Sequence, residues 1–103
     1  MIEFAEKWLE SNASLLDKLS VTIIETRKYV VTEYDRSVGK PGVTNFWVDI
    51  ENTQNLARLT IWETGECDLD VLSITGNNSW GETRTIGSFS DIDLAFRKLL
   101  EKM

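Results

Sequence analysis

The sequence of 103 residues contains no histidine, a single cysteine and a single proline. Without histidine, a serine or cysteine nucleophile has no imidazole base, and the commonest transition-metal ligand is missing. The lone Cys67 cannot form an intrachain disulfide, which is typical of a protein from a reducing cytoplasm. No run of about 18 apolar residues is present, so no transmembrane helix is predicted. These absences exclude most enzyme mechanisms and favour a cytosolic protein.

Acidic residues outnumber basic ones by 17 to 11, and the formal net charge is -6. Phosphate groups would be repelled, so direct binding to nucleic acid or to an anionic membrane is not expected. The acidity indicates either a basic partner or only good solubility. Residues 1–11 carry acids where a signal peptide needs positive charge, so no secretion signal is expected. The length and the hydrophobic content of 42% predict a single domain, residues 1–103, with one modest core.

Helical periodicity is found at both ends of the chain. Residues 2–19 place apolar side chains on a broad stripe, with a weak point at residues 11–12 where the helix could bend or break. Residues 90–103 repeat this spacing, with Ser90 predicted as the N-cap and Asp93 near the capping-box position. The polar face of the first helix is acidic, so core packing is expected rather than membrane binding.

Strand patterns lie between the two helices. Residues 21–34 are rich in β-branched and aromatic residues, and their alternation slips at residues 26–29, which predicts a bulge or a second short strand. Residues 37–42 form a loop by their glycine and proline content. After a turn at residues 75–78, residues 80–89 predict a further strand of weaker pattern.

Residues 44–74 contain three strands whose alternation sets their register. Three inward apolar sets follow one another: Phe46, Val48 and Ile50; Ala57, Leu59 and Ile61; Cys67, Leu69 and Val71. For these sets to share one face, the first hairpin needs an even loop, residues 52–55, and the second an odd loop, residues 64–66, with Gly65 at positive φ. The predicted opposite pairs are Ile50–Ala57, Asp49–Arg58 and Trp47–Thr60, then Ile61–Leu69, Trp62–Asp68 and Thr60–Asp70.

The predicted fold is α+β, an antiparallel sheet of four to five strands flanked by N- and C-terminal helices packed on one face. The second face is then open and combines acids with tryptophans. Trp47 and Trp62 become diagonal neighbours there, unless a loop or the first helix covers them, and exposed tryptophan is enriched at interface hot spots. Trp80 is either a lid over the core or an exposed anchor. The candidate binding residues are Trp47, Asp49, Glu51, Arg58, Thr60, Trp62, Glu63, Glu66, Asp68, Asp70, Leu72 and Trp80.

The carboxylates of this face admit other interpretations. Asp68 and Asp70 could act as a general acid and base, or could belong to an oxygen-ligand site for calcium or magnesium. An open face would not desolvate them, however, and no EF-hand spacing is present. Cys67 lacks a base and points into the core by parity. We therefore expect no catalytic residue, no cofactor and no metal, and a general adaptor or regulatory module is the alternative to a specific inhibitor.

The run ARLTIWETGECDLDVL at residues 57–72 resembles the TriTu-type immunity proteins of bacterial polymorphic-toxin and contact-dependent growth-inhibition systems. The segment FWVDIE at residues 46–51 and the C-terminal amphipathic helix are similar as well, so the likeness covers roughly the C-terminal two-thirds. Its most specific part is the hairpin at residues 62–70, and it does not extend to residues 77–80 or to the glycine-containing loop before Thr44.

The resemblance implies that the protein is an antidote to a toxin. Proteins of this type are cytosolic antidotes that bind and neutralise the toxic C-terminal domain of a cognate effector. The toxins are often nucleases, some of them tRNases. The expected partner is therefore a basic toxin domain, and the expected function is inhibition rather than catalysis.

Overall fold

The chain folds into an antiparallel sheet with helices at both ends, which confirms the predicted α+β class. The computed structural model describes residues 1–38, 42–76 and 78–103. Part of the predicted loop, residues 39–41, and Asn77 of the predicted turn lie outside the described residues. In chain order the elements are α1 (Ile2–Ser11), α2 (Ala13–Lys18), β1 (Thr22–Tyr29), α3 (Glu33–Ser37), β2 (Asn45–Glu51), β3 (Asn55–Trp62), β4 (Glu66–Ser73), β5 (Ser79–Thr85) and α4 (Phe89–Lys102). The strands lie in the order β1-β2-β3-β4-β5.

The N-terminal helix breaks at the predicted weak point. The side chain of Asn12 donates a hydrogen bond of 2.9 Å to the carbonyl oxygen of Trp8. This bond competes with continuation of the helix, so α1 ends at Ser11 and α2 begins at Ala13. The two short helices replace the continuous one that the stripe alone would allow.

The strand predicted for residues 21–34 is too long, because a short helix, α3, begins within that range. The Thr32 hydroxyl accepts a hydrogen bond of 3.2 Å from the Asp35 amide, and the Asp35 carboxylate accepts one of 3.1 Å from the Thr32 amide. This reciprocal pair is a capping box, and it stops the strand at Tyr29. The Thr32 bonds and the Tyr29 hydroxyl lower the pKa of Asp35.

The predicted irregularity of β1 is real, but its position at residues 26–29 was wrong. The pairing with β2 shifts between Ile23 and Glu25, so Ile24 is the extra residue of a bulge. Every residue of β1 is exposed. Because neither face of this edge strand is buried, its apolar and polar residues need not alternate. The sequence pattern therefore could not locate the bulge.

The first central hairpin has the predicted register, and the second is shifted by two residues. Ile50 pairs with Ala57 as expected, whereas Ile61 pairs with Cys67 rather than Leu69, and Thr60 pairs with Asp68 rather than Asp70. The predicted Trp62–Asp68 pair is therefore wrong too. The turn starts one residue earlier, where the Gly65 amide donates to the Trp62 carbonyl oxygen at 2.9 Å. Because its loop is still odd, all side chains keep their predicted face.

Gly65 has the positive φ predicted for it, 96°. A Cβ atom at this position would lie 2.7 Å from the carbonyl oxygen of Ile86. The turn therefore requires glycine for two reasons, its backbone conformation and the close approach of the segment that leads into α4.

The C-terminal helix begins earlier than predicted. Ser88, not Ser90, is the N-cap, and its hydroxyl accepts a hydrogen bond of 3.3 Å from the Asp91 amide. The predicted partner Asp93 instead accepts a hydrogen bond of 2.8 Å from the indole Nε1 of Trp8. Both serines have an aspartate three residues later, so the sequence pattern alone could not choose between them.

The core lies between the helices and one face of the sheet. Trp8 of α1 stacks on Phe96 of α4 with ring centroids 4.1 Å apart and an angle of 7° between the ring planes. The pKa of Asp93 is lowered, first by the hydrogen bond from Trp8 and then by Arg97. Buried side chains of β2, β3 and β4 complete the core: Phe46, Val48, Ile50, Ala57, Leu59, Ile61, Cys67, Leu69 and Val71. Within the described ranges, no helix is both long and apolar enough to cross a bilayer.

Candidate functional site: the open face of the sheet

The helices cover one face of the sheet, and we call the other the open face. On strands β2 to β5 it consists of Trp47, Asp49, Glu51, Leu56, Arg58, Thr60, Trp62, Glu66, Asp68, Asp70, Leu72, Ser79, Gly81, Thr83 and Thr85. Each of these side chains is exposed or half-buried, whereas the residues that alternate with them on β2, β3 and β4 are buried. The predicted division into an apolar and an acidic face is therefore present.

Arg58 lies at the centre of the open face and is already paired within the protein. Its Nε and Nη2 atoms donate hydrogen bonds of 2.6 and 2.9 Å to the two carboxylate oxygens of Asp49. Its guanidinium carbon lies 4.1 Å from the ring centroid of Trp47, a cation–π distance. The hydrogen bonding of Arg58 to Asp49 is the main cause that raises the pKa of Arg58. Partial burial opposes this rise, and the charges of Asp49, Asp70 and Glu25 add to it. The guanidinium is thus directed toward β2.

The second tryptophan extends this cluster along the sheet. Trp62 pairs with Asn45, and Trp47 pairs with Thr60, so the two tryptophans are diagonal neighbours as predicted. Both are half-buried. Asp68, opposite Thr60, accepts a hydrogen bond of 3.0 Å from the hydroxyl of Thr83 on β5.

Beside the tryptophans lies a groove of about 610 Å³ that crosses the sheet from β1 to β5. Its apolar lining includes three exposed side chains, Ile24, Leu56 and Leu72, which are 51%, 38% and 53% exposed. Asp70 lies in the groove opposite Arg58 on one side and Gly81 on the other. Among the described residues, the Asp70 carboxylate forms no hydrogen bond or salt bridge, although its charge contributes to the raised pKa of Arg58.

The remaining predicted residues are more peripheral. Glu51 is half-buried at the end of β2, Glu63 is exposed in the turn between β3 and β4, and Glu66 is exposed at the start of β4. Trp80 pairs with Val71 and is therefore on the helix-covered face, where it packs against the core. Of the two alternatives predicted for Trp80, a lid over the core and an exposed anchor, the structure shows the first.

Sequence reasoning found Asp49, Arg58, Asp70 and Leu72 of the groove lining but missed Ile24, Leu56 and Gly81. Leu56 has the same strand parity as Arg58 and could have been found from it. Ile24 reaches the open face only because of the bulge, which the pattern did not locate. Gly81 leaves space in the groove because it has no side chain. Its place beside Asp70 follows from the register between β4 and β5, which the sequence did not predict.

Two kinds of reactive group were considered in the sequence, a metal site and the thiol of Cys67. In the part of the chain that the structure describes, no group of three or more metal-ligating side chains is close enough to hold an ion. Burial raises the pKa of the Cys67 thiol to about 12, and the charge of Asp68 adds to this effect. The thiol is therefore protonated near neutral pH and is a poor nucleophile.

We expect Cys67 to resist alkylation in the folded protein. Its reaction with iodoacetamide at neutral pH should be at least about 100-fold slower in native buffer than in denaturant, because the thiol is both buried and protonated. Mass spectrometry over time measures the rate, and Ser14→Cys on the exposed surface of α2 provides a reference thiol. Equal rates for Cys67 in native buffer and in denaturant would contradict this assignment.

The structure is that of a small α+β protein, with helices behind one face of a sheet and acids and tryptophans on the other. Residues 3–102 match the family described as Immunity protein TriTu, and the chain belongs to this family. The resemblance found in the sequence is confirmed and extends beyond the C-terminal two-thirds to include α1. Family membership implies a toxin-neutralising role. Searches among curated proteins and among solved structures found no match.

Proposed function

We propose that the protein neutralises a basic toxin domain by binding it through the open face, without catalysing a reaction. The observation that carries this proposal is the pairing of the cations on this surface. Arg58 is paired with Asp49, and Arg27 of β1 is paired with Glu25 at 2.7 Å. Within the described part of the chain, the carboxylates of Glu51, Asp68 and Asp70 form no salt bridge. A basic partner could therefore pair with them without first breaking an ion pair within the protein.

The tryptophans add contact area to this charge. Trp47 and Trp62 are large, half-buried and adjacent to the acidic side chains. Aromatic anchors surrounded by charge complementarity are typical of interfaces that are both tight and specific. Like charges on one sheet face also destabilise the free protein, so a partner that neutralises them is favoured.

The toxin is, in this proposal, a nuclease, with tRNases among the candidates. A nuclease domain needs a basic surface to hold the phosphate backbone. An acidic protein that covers such a surface excludes the nucleic acid and needs no contact with nucleic acid or membrane itself. We place the protein in the bacterial cytoplasm, as an antidote of a contact-dependent growth-inhibition or related polymorphic-toxin system, where its single buried thiol would remain reduced.

Salt dependence of binding tests the charge basis of this proposal. The probe is the toxic C-terminal domain of the cognate effector, carrying an inactivating substitution. We expect the Kd to rise at least about tenfold between about 50 and about 500 mM sodium chloride, because screening weakens interactions between exposed charges. Calorimetric titration measures the Kd. Tight binding that does not change with salt would show that the acidity serves only solubility.

A further inference from the structure

The groove on the open face has a shape and a charge distribution that select its occupant. We propose that it receives one basic side chain, lysine or arginine, of the toxin domain, with the aliphatic stem on Leu56 and Leu72 and the cationic end at Asp70. This inference rests on the proposed function and adds the chemistry of one contact to it.

The apolar part of the groove suits the stem of such a side chain. Ile24, Leu56 and Leu72 are among the most exposed large apolar side chains of the sheet, and all three line the groove. Lysine and arginine bury their methylene groups along apolar surface while the charged end remains solvated or paired. An occupant of this kind covers the three side chains without placing its charge among them.

The charged part of the groove distinguishes between cations and anions. Arg58 points toward β2, because Asp49 holds both its Nε and Nη2 atoms and Trp47 lies against its guanidinium group. Of the cations that the structure describes, none forms a salt bridge with Asp70 on β4. An anionic occupant would approach this unpaired carboxylate, and a wholly apolar one would remove water from it without replacing the lost hydrogen bonds. A cationic end avoids both costs.

Gly81 keeps the entrance to Asp70 open. It lies directly opposite Asp70, and a Cβ atom there would be 3.4 Å from the Asp70 carboxylate oxygen Oδ1. Gly81 does not have a positive φ, so the backbone does not require glycine at this position. Glycine weakens a strand, whereas a β-branched residue favours it. The need to keep the groove open therefore explains why position 81 is a glycine, which the backbone conformation alone does not.

Filling the groove should separate binding from stability. Gly81→Val places a β-branched side chain over Asp70, and we expect an unchanged or higher melting temperature together with a rise of at least about tenfold in the Kd for the inactivated toxin domain. Thr26→Val is the control, since it also places a valine at an exposed strand position but pairs with Val48 and so lies on the opposite side of the sheet from the groove. Its Kd should change less than about threefold.

Asp70→Asn removes the charge and keeps the shape, so it tests the ion pair without relying on the valine variant. We expect the Kd to rise about tenfold and most of that loss to disappear in high salt, because the lost interaction is electrostatic. Glu10→Gln on α1 is the charge-matched control and should bind like the wild type.

The outcomes distinguish this inference from the proposed function. If the wild type binds the toxin domain tightly and both Gly81→Val and Asp70→Asn bind equally well, the groove assignment is overturned and the proposed function stands. If the wild type does not bind the toxin domain at all, the proposed function fails, and the groove assignment fails with it. Loss of affinity in both variants, with both controls unaffected, supports the assignment.

Discussion

Replacing Phe96 with alanine is expected to lower the free energy of unfolding by about 3–5 kcal/mol. The side chain is fully buried and stacks on Trp8 at 4.1 Å, which joins α4 to α1. Its removal leaves a cavity at the contact between the helices and exposes one face of the indole, whose Nε1 atom is held by Asp93. A domain of this size has about 5–15 kcal/mol of stability in total, so this one change removes a large part of it.

Urea unfolding followed by circular dichroism measures the effect on stability. Leu94→Ala is the control, because Leu94 belongs to the same helix but is exposed, and alanine has similar helix propensity. We expect that variant to differ from the wild type by less than about 0.5 kcal/mol. Similar losses in the two variants would show that the helices are not held by the Trp8–Phe96 stack.

Reversing the charge of Asp68 is expected to weaken toxin binding by about 2–4 kcal/mol, roughly 30-fold to 1000-fold in Kd. Asp68 lies on the open face between Thr60 of β3 and Thr83 of β5. In Asp68→Lys, an attractive contact with a basic partner becomes a repulsive one at this position. The fold should persist, because the substitution removes only the hydrogen bond from Thr83 and no core contact.

Calorimetric titration of the inactivated toxin domain gives the affinity, and the melting temperature checks the fold. Glu10→Lys makes the same change of charge on the exposed surface of α1, which packs on the opposite face of the sheet from Asp68, and should alter the Kd only slightly. If Asp68→Lys retained the fold and bound as tightly as the wild type, the open face would not be the binding surface, and the loops would have to be examined instead.

The two tryptophans Trp62 and Trp80 allow a comparison of the two faces. Trp62→Ala should reduce toxin affinity with little loss of stability, because its side chain is on the open face. Trp80→Ala should mainly reduce stability, because Trp80 packs against the core from the other side. This contrast follows from their opposite strand parity, which the pairing of Trp80 with Val71 establishes.

Much of this fold could be predicted from alternation in the sequence. The face to which each residue of β2, β3 and β4 belongs follows from burial with a period of two, and this assignment does not depend on where a turn begins. The offset between β3 and β4 does depend on it. A loop of residues 63–65 and one of residues 64–66 keep the same parity, so the pattern could not distinguish Asp68 from Asp70 as the partner of Thr60.

The errors share a physical cause, since each lies where burial gives no signal or where two local patterns compete. The exposed strand β1 provided no alternation from which to locate the bulge at Ile24. The start of α4 depended on whether Ser88 or Ser90 would be the N-cap. Ser88 is the N-cap, and Asp93, which lies three residues after Ser90, instead accepts a hydrogen bond from Trp8, distant in sequence. The groove depends on the bulge at Ile24 and on the register of β5, so its full outline required the structure although Asp70 and Leu72 were predicted.

Protection of growing cells tests the central claim most directly. Bacteria that produce the active toxin domain are supplied with the wild type, Asp68→Lys or Glu10→Lys at matched protein levels, and growth is followed. The account predicts that the wild type and Glu10→Lys restore growth, whereas Asp68→Lys does not. Full protection by Asp68→Lys would contradict neutralisation through the open face, and failure of the wild type to protect would contradict the antidote role toward this toxin.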